Sequence, residues 1–313
     1  VEGILLAHPD QVRTPGDDRR VLVRADSPAP GRVGIVTGGG SGHLPLFKGY
    51  VGKGLCSGVA IGNVFSSPSV QQCADAAKAV DGGAGVLFLY GNYGGDVFNF
   101  DLAVDLLELD GIETRTVLGC DDVASQPKER AKDRRGVAGI FFAYKAAGAA
   151  AERGDSLDEV AAVAQKVVDN TATMGVGLSP TILPTTGAAS FDLPEGEMEI
   201  GIGIHGEPGI HRGPLGTADE IADQILDSVI PDLGLSEGDR VAVLVNGLGA
   251  TPLEELYLLY RRTHQRLEEL GVVIERRYIG EYATSLEMAG ASISLLKVDD
   301  ELLELLDAPA QSP

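Results

Sequence analysis

Residues 86–96 read Val-Leu-Phe-Leu-Tyr-Gly-Asn-Tyr-Gly-Gly-Asp. The first five are apolar without a break, the pattern of a strand buried on both faces. The glycine-rich loop at 91–96 ends that strand, and the spacing beyond it predicts a helix to about Leu109. A strand that stops at a glycine loop and resumes as a helix is the unit of a doubly wound parallel sheet.

The same rhythm extends to both sides. Residues 33–37 read as a strand ending at Gly-Gly-Gly-Ser-Gly-His, 38–43. Ser67-Pro68 reads as an N-cap followed by proline at the first helical position, opening a helix to about Val80. Residues 114–118 form the next strand, 135–153 a long alanine-rich helix, and Ser156-Leu-Asp-Glu159 a capping box that opens another. After about residue 180, Pro180, Pro184, Gly187 and Pro194 mark a crossing segment. A strand over 198–204 is expected to deliver His205, and Thr217-Ala-Asp-Glu220 to cap a helix to about Val229. Strands at 241–245, 272–279 and 292–298, with a helix over 253–270, complete a second sheet. The expectation is an α/β chain of two domains. Residues 1–180 carry glycine-rich substrate loops on a doubly wound parallel sheet; residues 181–313 form a second α/β domain with a mixed sheet and carry His205.

Composition narrows the function. A net charge of −21 over 313 residues disfavours binding to nucleic acid or to an anionic membrane surface. No apolar run approaches the roughly 18 residues of a membrane span. Cys56, Cys73 and Cys120 are odd in number and lack C-x-x-C spacing, which suits a reducing cytosol and a cytoplasmic protein. The first residue is Val1, so the natural chain is expected to begin earlier. Gly201-x-Gly203-x-x-Gly206 matches the dinucleotide fingerprint in form only, because Glu207-Pro208-Gly209 follows where a helix should open. Gly52-Lys53 lacks the glycine spacing of a P-loop and is followed by Gly54 where a hydroxyl belongs. His205 and His211 have no carboxylate placed to complete a zinc site.

His43, Asp96 and His205 all reach glycine-rich loops at strand ends. Each has a plainer reading: a histidine beside glycines as a turn residue, Asp96 as a carboxylate favoured by a helix N-terminus. Together they supply the parts of a reaction. A neutral imidazole at His205 can attack a small ketone to give a hemiaminal. Asp96 can accept the proton of a terminal hydroxyl, with His43 assisting. The segment Gly40, Ser41, Gly42, with Gly91, offers backbone N–H groups and room for the remaining oxygens.

These residues, with Gly49-Tyr-Val-Gly52, Asp121-Asp122-Val123, Arg134-Arg135-Gly136, the run 149–156, Leu248-Gly-Ala-Thr-Pro252 and Leu296-Lys-Val-Asp-Asp300, resemble the substrate-binding K subunit of the dihydroxyacetone kinases over nearly the whole chain. The resemblance implies a DAK1/DegV-like two-domain fold and a homodimer. It implies a hemiaminal at His205, with acid–base work by Asp96 and His43. It further implies that ATP or ADP with magnesium resides on a helical L subunit or domain, not on this chain, so that no cofactor is expected here. Two positions depart from members specific for dihydroxyacetone: Leu44 stands where they carry Glu, and Gly91 where they carry Lys. Both changes point to a roomier pocket for a ketose such as erythrulose. A ketose-binding co-regulator without kinase activity is the other reading.

Overall fold

The computed structural model describes residues 1–313, which divide into two compact units. The first comprises Val1–Gly119, Ile140–Asp169 and Glu304–Pro313; the second comprises Cys120–Gly139 and Asn170–Leu303. This division differs from a single cut after residue 180: the chain passes between the units four times.

In the first unit, α1 (Glu2–Ala7) precedes β1 (Val12–Arg13), β2 (Val21–Arg24), β3 (Gly34–Ser41) and β4 (Gly58–Val64). Then come α2 (Val70–Val80), β5 (Val86–Gly91), α3 (Gly94–Leu109), β6 (Thr114–Gly119), α4 (Ile140–Arg153) and α5 (Leu157–Asp169). The sheet order is β1-β2-β4-β3-β5-β6. Strands β4, β3, β5 and β6 are mutually parallel, but β2 pairs antiparallel with β4 and β1 with β2. The expected parallel sheet is therefore a parallel core with an antiparallel edge. Alternation along β5 sorts the two faces: Val86, Phe88 and Tyr90 pack with Cys73, Ala77 and Val80 of α2 and with Phe100, Ala103 and Leu107 of α3. Leu87 and Leu89 lie on the opposite face, where α4 packs against β3 and β5; α4 is buried from Ile140 to Ala151.

Several boundaries differ from the sequence pattern for local reasons. Strand β3 does not end before the glycines; Gly38 and Gly39 stay in register with Ala60 and Ile61 of β4, and pairing continues to Ser41. Helix α2 starts two residues later than expected, because Ser69 and Gln72 close the capping box and Pro68 lies outside it. The alanine-rich helix starts at Ile140, not 135: the Asp121 carboxylate accepts the N–H groups of Val137 (2.9 Å) and Gly139 (2.8 Å) and holds that stretch as a loop.

In the second unit, β7 (Thr171–Gly177), β8 (Glu197–Ile200) and β9 (His211–Pro214) precede α6 (Ala218–Leu233), β10 (Arg240–Gly247), α7 (Leu253–Glu269), β11 (Val273–Gly280) and β12 (Gly290–Lys297). Helix α8 (Asp300–Asp307) then carries the chain back to the first unit. The sheet order is β11-β10-β12-β7-β8-β9, with only β10 and β11 parallel. Helices α6 and α7 cover the face formed by Met174, Val176, Val243, Val245, Ile293 and Leu295. The other face mixes Leu244 and Leu296 with buried polar groups, Thr173, Ser292, Ser294 and Asn246, and the 120–139 segment joins it through a bridge from Asp122 to Thr173. Both α6 ends follow local rules: Thr217 and Glu220 form its capping box, and Gly234 takes a left-handed conformation just past its C-terminus.

Candidate active site

In the first unit, His43 follows β3 and is fully buried. Its ring lies parallel to that of Phe65, centroids 4.8 Å apart at 9°, while Phe47 meets it edge-on at 6.4 Å. The glycine run makes this clamp possible. A Cβ on Gly39 would lie 2.1 Å from the Phe47 ring, and one on Gly40 would lie 2.8 Å from the Ser66 nitrogen. The glycines thus have a packing role that the sequence pattern does not reveal. The Ser41 hydroxyl donates to the Gly62 carbonyl at 3.0 Å, tying the loop to β4.

Asp96 sits in the first turn of α3 and is buried, in the position where the helix dipole favours negative charge. Burial first, and then the charge of Asp96, pushes the Cys73 thiol up; Tyr90 is raised by burial, with Asp101 and Asp96 adding to it. Gly91, the last residue of β5, is buried and faces Gly119 across the ladder. The loop after β4 borders both sets of groups: Phe65 stacks on His43, while Ser67 lies where a Cβ on Gly95 would come within 2.6 Å of its hydroxyl. His43 and Asp96 therefore flank one short segment.

His205 belongs to the second unit. The expected strand over 198–204 stops at Ile200, because Gly201 adopts φ +81° and turns the chain. A Cβ there would also lie 2.6 Å from that of Ala124. Beyond the turn, Ile202 and Ile204 are buried, while the His205 side chain that follows them stays partly exposed. Glu207 holds it from below: one carboxylate oxygen accepts the His205 backbone N–H at 2.9 Å, the other lies 2.9 Å from ring Nδ1. An Nδ1–H donated to a carboxylate leaves the ring lone pair on Nε2.

The support continues behind Glu207. Arg135 Nη1 lies 3.8 Å from Glu207, and the same guanidinium binds Asp122 at 2.8 Å and reaches the Gly201 carbonyl at 3.4 Å. Burial opposes ionisation of Glu207, but the hydrogen bond and charge of His205, with its own backbone and Arg135, outweigh it and hold the carboxyl at about 2. Asp122 behaves oppositely. Burial, reinforced by Asp121, raises it to about 6 against the pull of Arg135. In the sequence Glu207 stands out only as the residue that breaks a dinucleotide loop, and nothing in their spacing marks Arg135 or Asp122 as site residues. The available signal was a carboxylate two residues beyond the key histidine. No group of three or more His, Cys, Asp or Glu side chains is arranged to hold a metal ion.

The Dak1 domain matches residues 2–313. The chain belongs to the Dak1 family. It is 49% identical to the dihydroxyacetone-binding subunit DhaK of PTS-dependent dihydroxyacetone kinase 2 of Listeria innocua, over 95% of this chain and 89% of that protein. It is 43% identical to the L-erythrulose kinase of Pectobacterium atrosepticum, matching all of this chain but 53% of that one. Among solved structures, the dihydroxyacetone kinase operon co-activator Dha-DhaQ superposes with a TM-score of 0.92 at 32% identity, covering 99% of this chain and 95% of that one. The dihydroxyacetone kinase from C. freundii in complex with AMP-PNP and Mg2+ gives 0.91 at 32%, covering 99% of this chain and 57% of that one.

Proposed function

We propose that this chain is the substrate-binding subunit of a small-ketose kinase. The observation that carries this reading is His205, oriented through Nδ1 by Glu207 so that Nε2 is its nucleophilic atom, in a chain of the Dak1 family. Nε2 attacks the ketose carbonyl and fixes a flexible polyol in one orientation. Asp96 takes the proton of the terminal hydroxyl as its oxygen attacks the phosphoryl group, and the donor leaves with the former bridging bond's electrons. His43, clamped between Phe47 and Phe65, assists that transfer; Gly40, Ser41, Gly42 and Gly91 border the ketose. The phosphoryl donor is assigned to a helical nucleotide-binding L subunit or domain, with ATP or ADP and magnesium, and the chain is assigned to a homodimer. The C. freundii kinase complex with AMP-PNP and Mg2+ supports a nucleotide donor.

Leu44 and Gly91 favour a ketose larger than dihydroxyacetone. Leu44 is half exposed and uncharged beside His43, and Gly91 presents no side chain at the end of β5. The likeness to the L-erythrulose kinase supports this, although the dihydroxyacetone-binding relative is similar to a comparable degree. Steady-state kinetics with a helical partner should give a higher kcat/KM for erythrulose than for dihydroxyacetone; the reverse order rejects the larger substrate.

The co-activator likeness favours a second reading, in which the chain binds a ketose and regulates transcription without turnover. Reconstitution decides between them. Phosphorylation of a ketose that is lost in both His205→Ala and Asp96→Asn supports the kinase; binding without turnover under every donor supports the regulator.

A further inference from the structure

The reading of His205 as a nucleophile leaves a charge to be balanced. When Nε2 bonds to a carbonyl carbon, the C=O π pair moves to oxygen, which takes a proton from the buffer and becomes a hydroxyl. The ring then carries carbon on Nε2 and hydrogen on Nδ1, and it is a cation. A substituted imidazolium in a partly buried loop needs a compensating anion. Resting on the covalent reading of His205, we propose that Glu207 is the fixed counter-ion of the ketose adduct, and that it also sets the ring tautomer that permits attack.

Three observations support this. Both Glu207 oxygens are committed to His205, one to its backbone N–H and one to Nδ1, each at 2.9 Å, so the carboxylate stays directed at the ring. The turn is closed on itself as well: Gly203 N–H donates to the Glu207 carbonyl at 3.0 Å. Gly203 also has no Cβ to obstruct the carboxylate, since one would lie 2.2 Å from Oε2. Finally, Arg135 is shared. Its nearer contacts go to Asp122 at 2.8 Å, and only the longer one, 3.8 Å, reaches Glu207. Asp122 therefore takes up most of the guanidinium charge, and Glu207 keeps net negative character for the adduct. A carboxylate that only anchored the turn would not need its second oxygen on Nδ1.

Two measurements on the full chain test this. First, 15N spectra of the ketose-free protein near neutral pH should show His205 protonated on Nδ1 and not on Nε2. In Glu207→Gln the single amide oxygen is expected to keep the backbone N–H, so the amide NH2 donates to Nδ1 and moves the ring proton to Nε2. Second, dihydroxyacetone or erythrulose labelled with 13C at the carbonyl should show a tetrahedral carbon on the wild-type protein. Adduct formation should weaken about tenfold or more in Glu207→Gln, the scale of losing a charge-assisted contact. Glu207→Asp, which keeps the charge on a shorter arm, should recover part of it. An adduct that persists undiminished in Glu207→Gln, or an Nε2–H ring in the wild type, overturns the role of Glu207. No adduct on the wild type with either ketose overturns the covalent reading itself, and Glu207 with it.

Discussion

The imidazole of His43 and the ring of Phe65 are stacked at 4.8 Å and 9°. Phe65 reaches this position at φ +50°, a left-handed conformation that costs a bulky residue free energy. Its backbone N–H donates to Ser41 at 3.0 Å, which helps hold it there. Aromatic pairs of this kind contribute about 0.5–1.5 kcal/mol beyond their buried area. Phe65→Ala should therefore reduce kcat by about two- to tenfold by freeing the His43 ring, while Phe65→Tyr stays near wild type. Kinetics of both variants with the helical partner check this; equal loss in the two would show that the ring stack is irrelevant.

Asp96 is assigned the hydroxyl proton and His205 the carbonyl carbon, so the two roles should separate. Asp96→Asn should lower turnover by about 10²–10⁴-fold, the range for a general base, yet leave the 13C signature of the ketose adduct. His205→Ala should abolish that signature. Loss of the adduct in Asp96→Asn would contradict this division of labour.

Arg134 makes a two-pronged pair with Asp232, at 2.7 and 2.8 Å, and donates a third bond to the Gln126 carbonyl at 2.9 Å. Its side chain is only 4% exposed. Removing one partner of a buried pair leaves the other uncompensated, at a cost of about 3–5 kcal/mol. Arg134→Ala should lower the urea midpoint accordingly. A shift smaller than about 1 kcal/mol would show that the pair contributes little.

Asp122 and Glu207 give opposite pH dependences. The folded-state value of Asp122, about 6, lies above the ordinary carboxylate value, so the native protein binds more protons than the unfolded chain between about pH 4 and 6. Stability from this group falls as pH rises through that window. Glu207, held at about 2, contributes stability above its unfolded value that is lost as pH falls from about 4 to about 2. Asp122→Asn should flatten the decline between about pH 4 and about 6, measured by urea unfolding across that range. An unchanged slope would assign the decline to other groups.

Much of this was legible in the chain itself. The uninterrupted apolar run of β5 and the glycine loop before α3 announced a buried strand and its helix, because the strand's burial on both faces leaves no room for polar residues. The Thr217–Glu220 capping box is legible because it is made by residues three apart. Readings failed where a distant group decided the local backbone. Residues 135–139 have a sequence that suits a helix, but Asp121 claims two of their N–H groups. The candidate site shows the same division. His43, Asp96 and His205 stood out because glycines mark their loops. Glu207, Arg135 and Asp122 did not, since their connection runs through side chains on separated segments.

The amino-acid order by itself determined where most strands and helices lie and which three side chains meet glycine loops, because these follow from periodicity and from contacts within a few residues. Tertiary structure alone decided that Phe65 lies on His43, that a Glu207 oxygen lies 2.9 Å from Nδ1 of His205, and that Arg135 is divided between two carboxylates. Those outcomes depend on distances of a few ångströms between groups far apart along the chain, and on the low-dielectric surroundings that only folding creates.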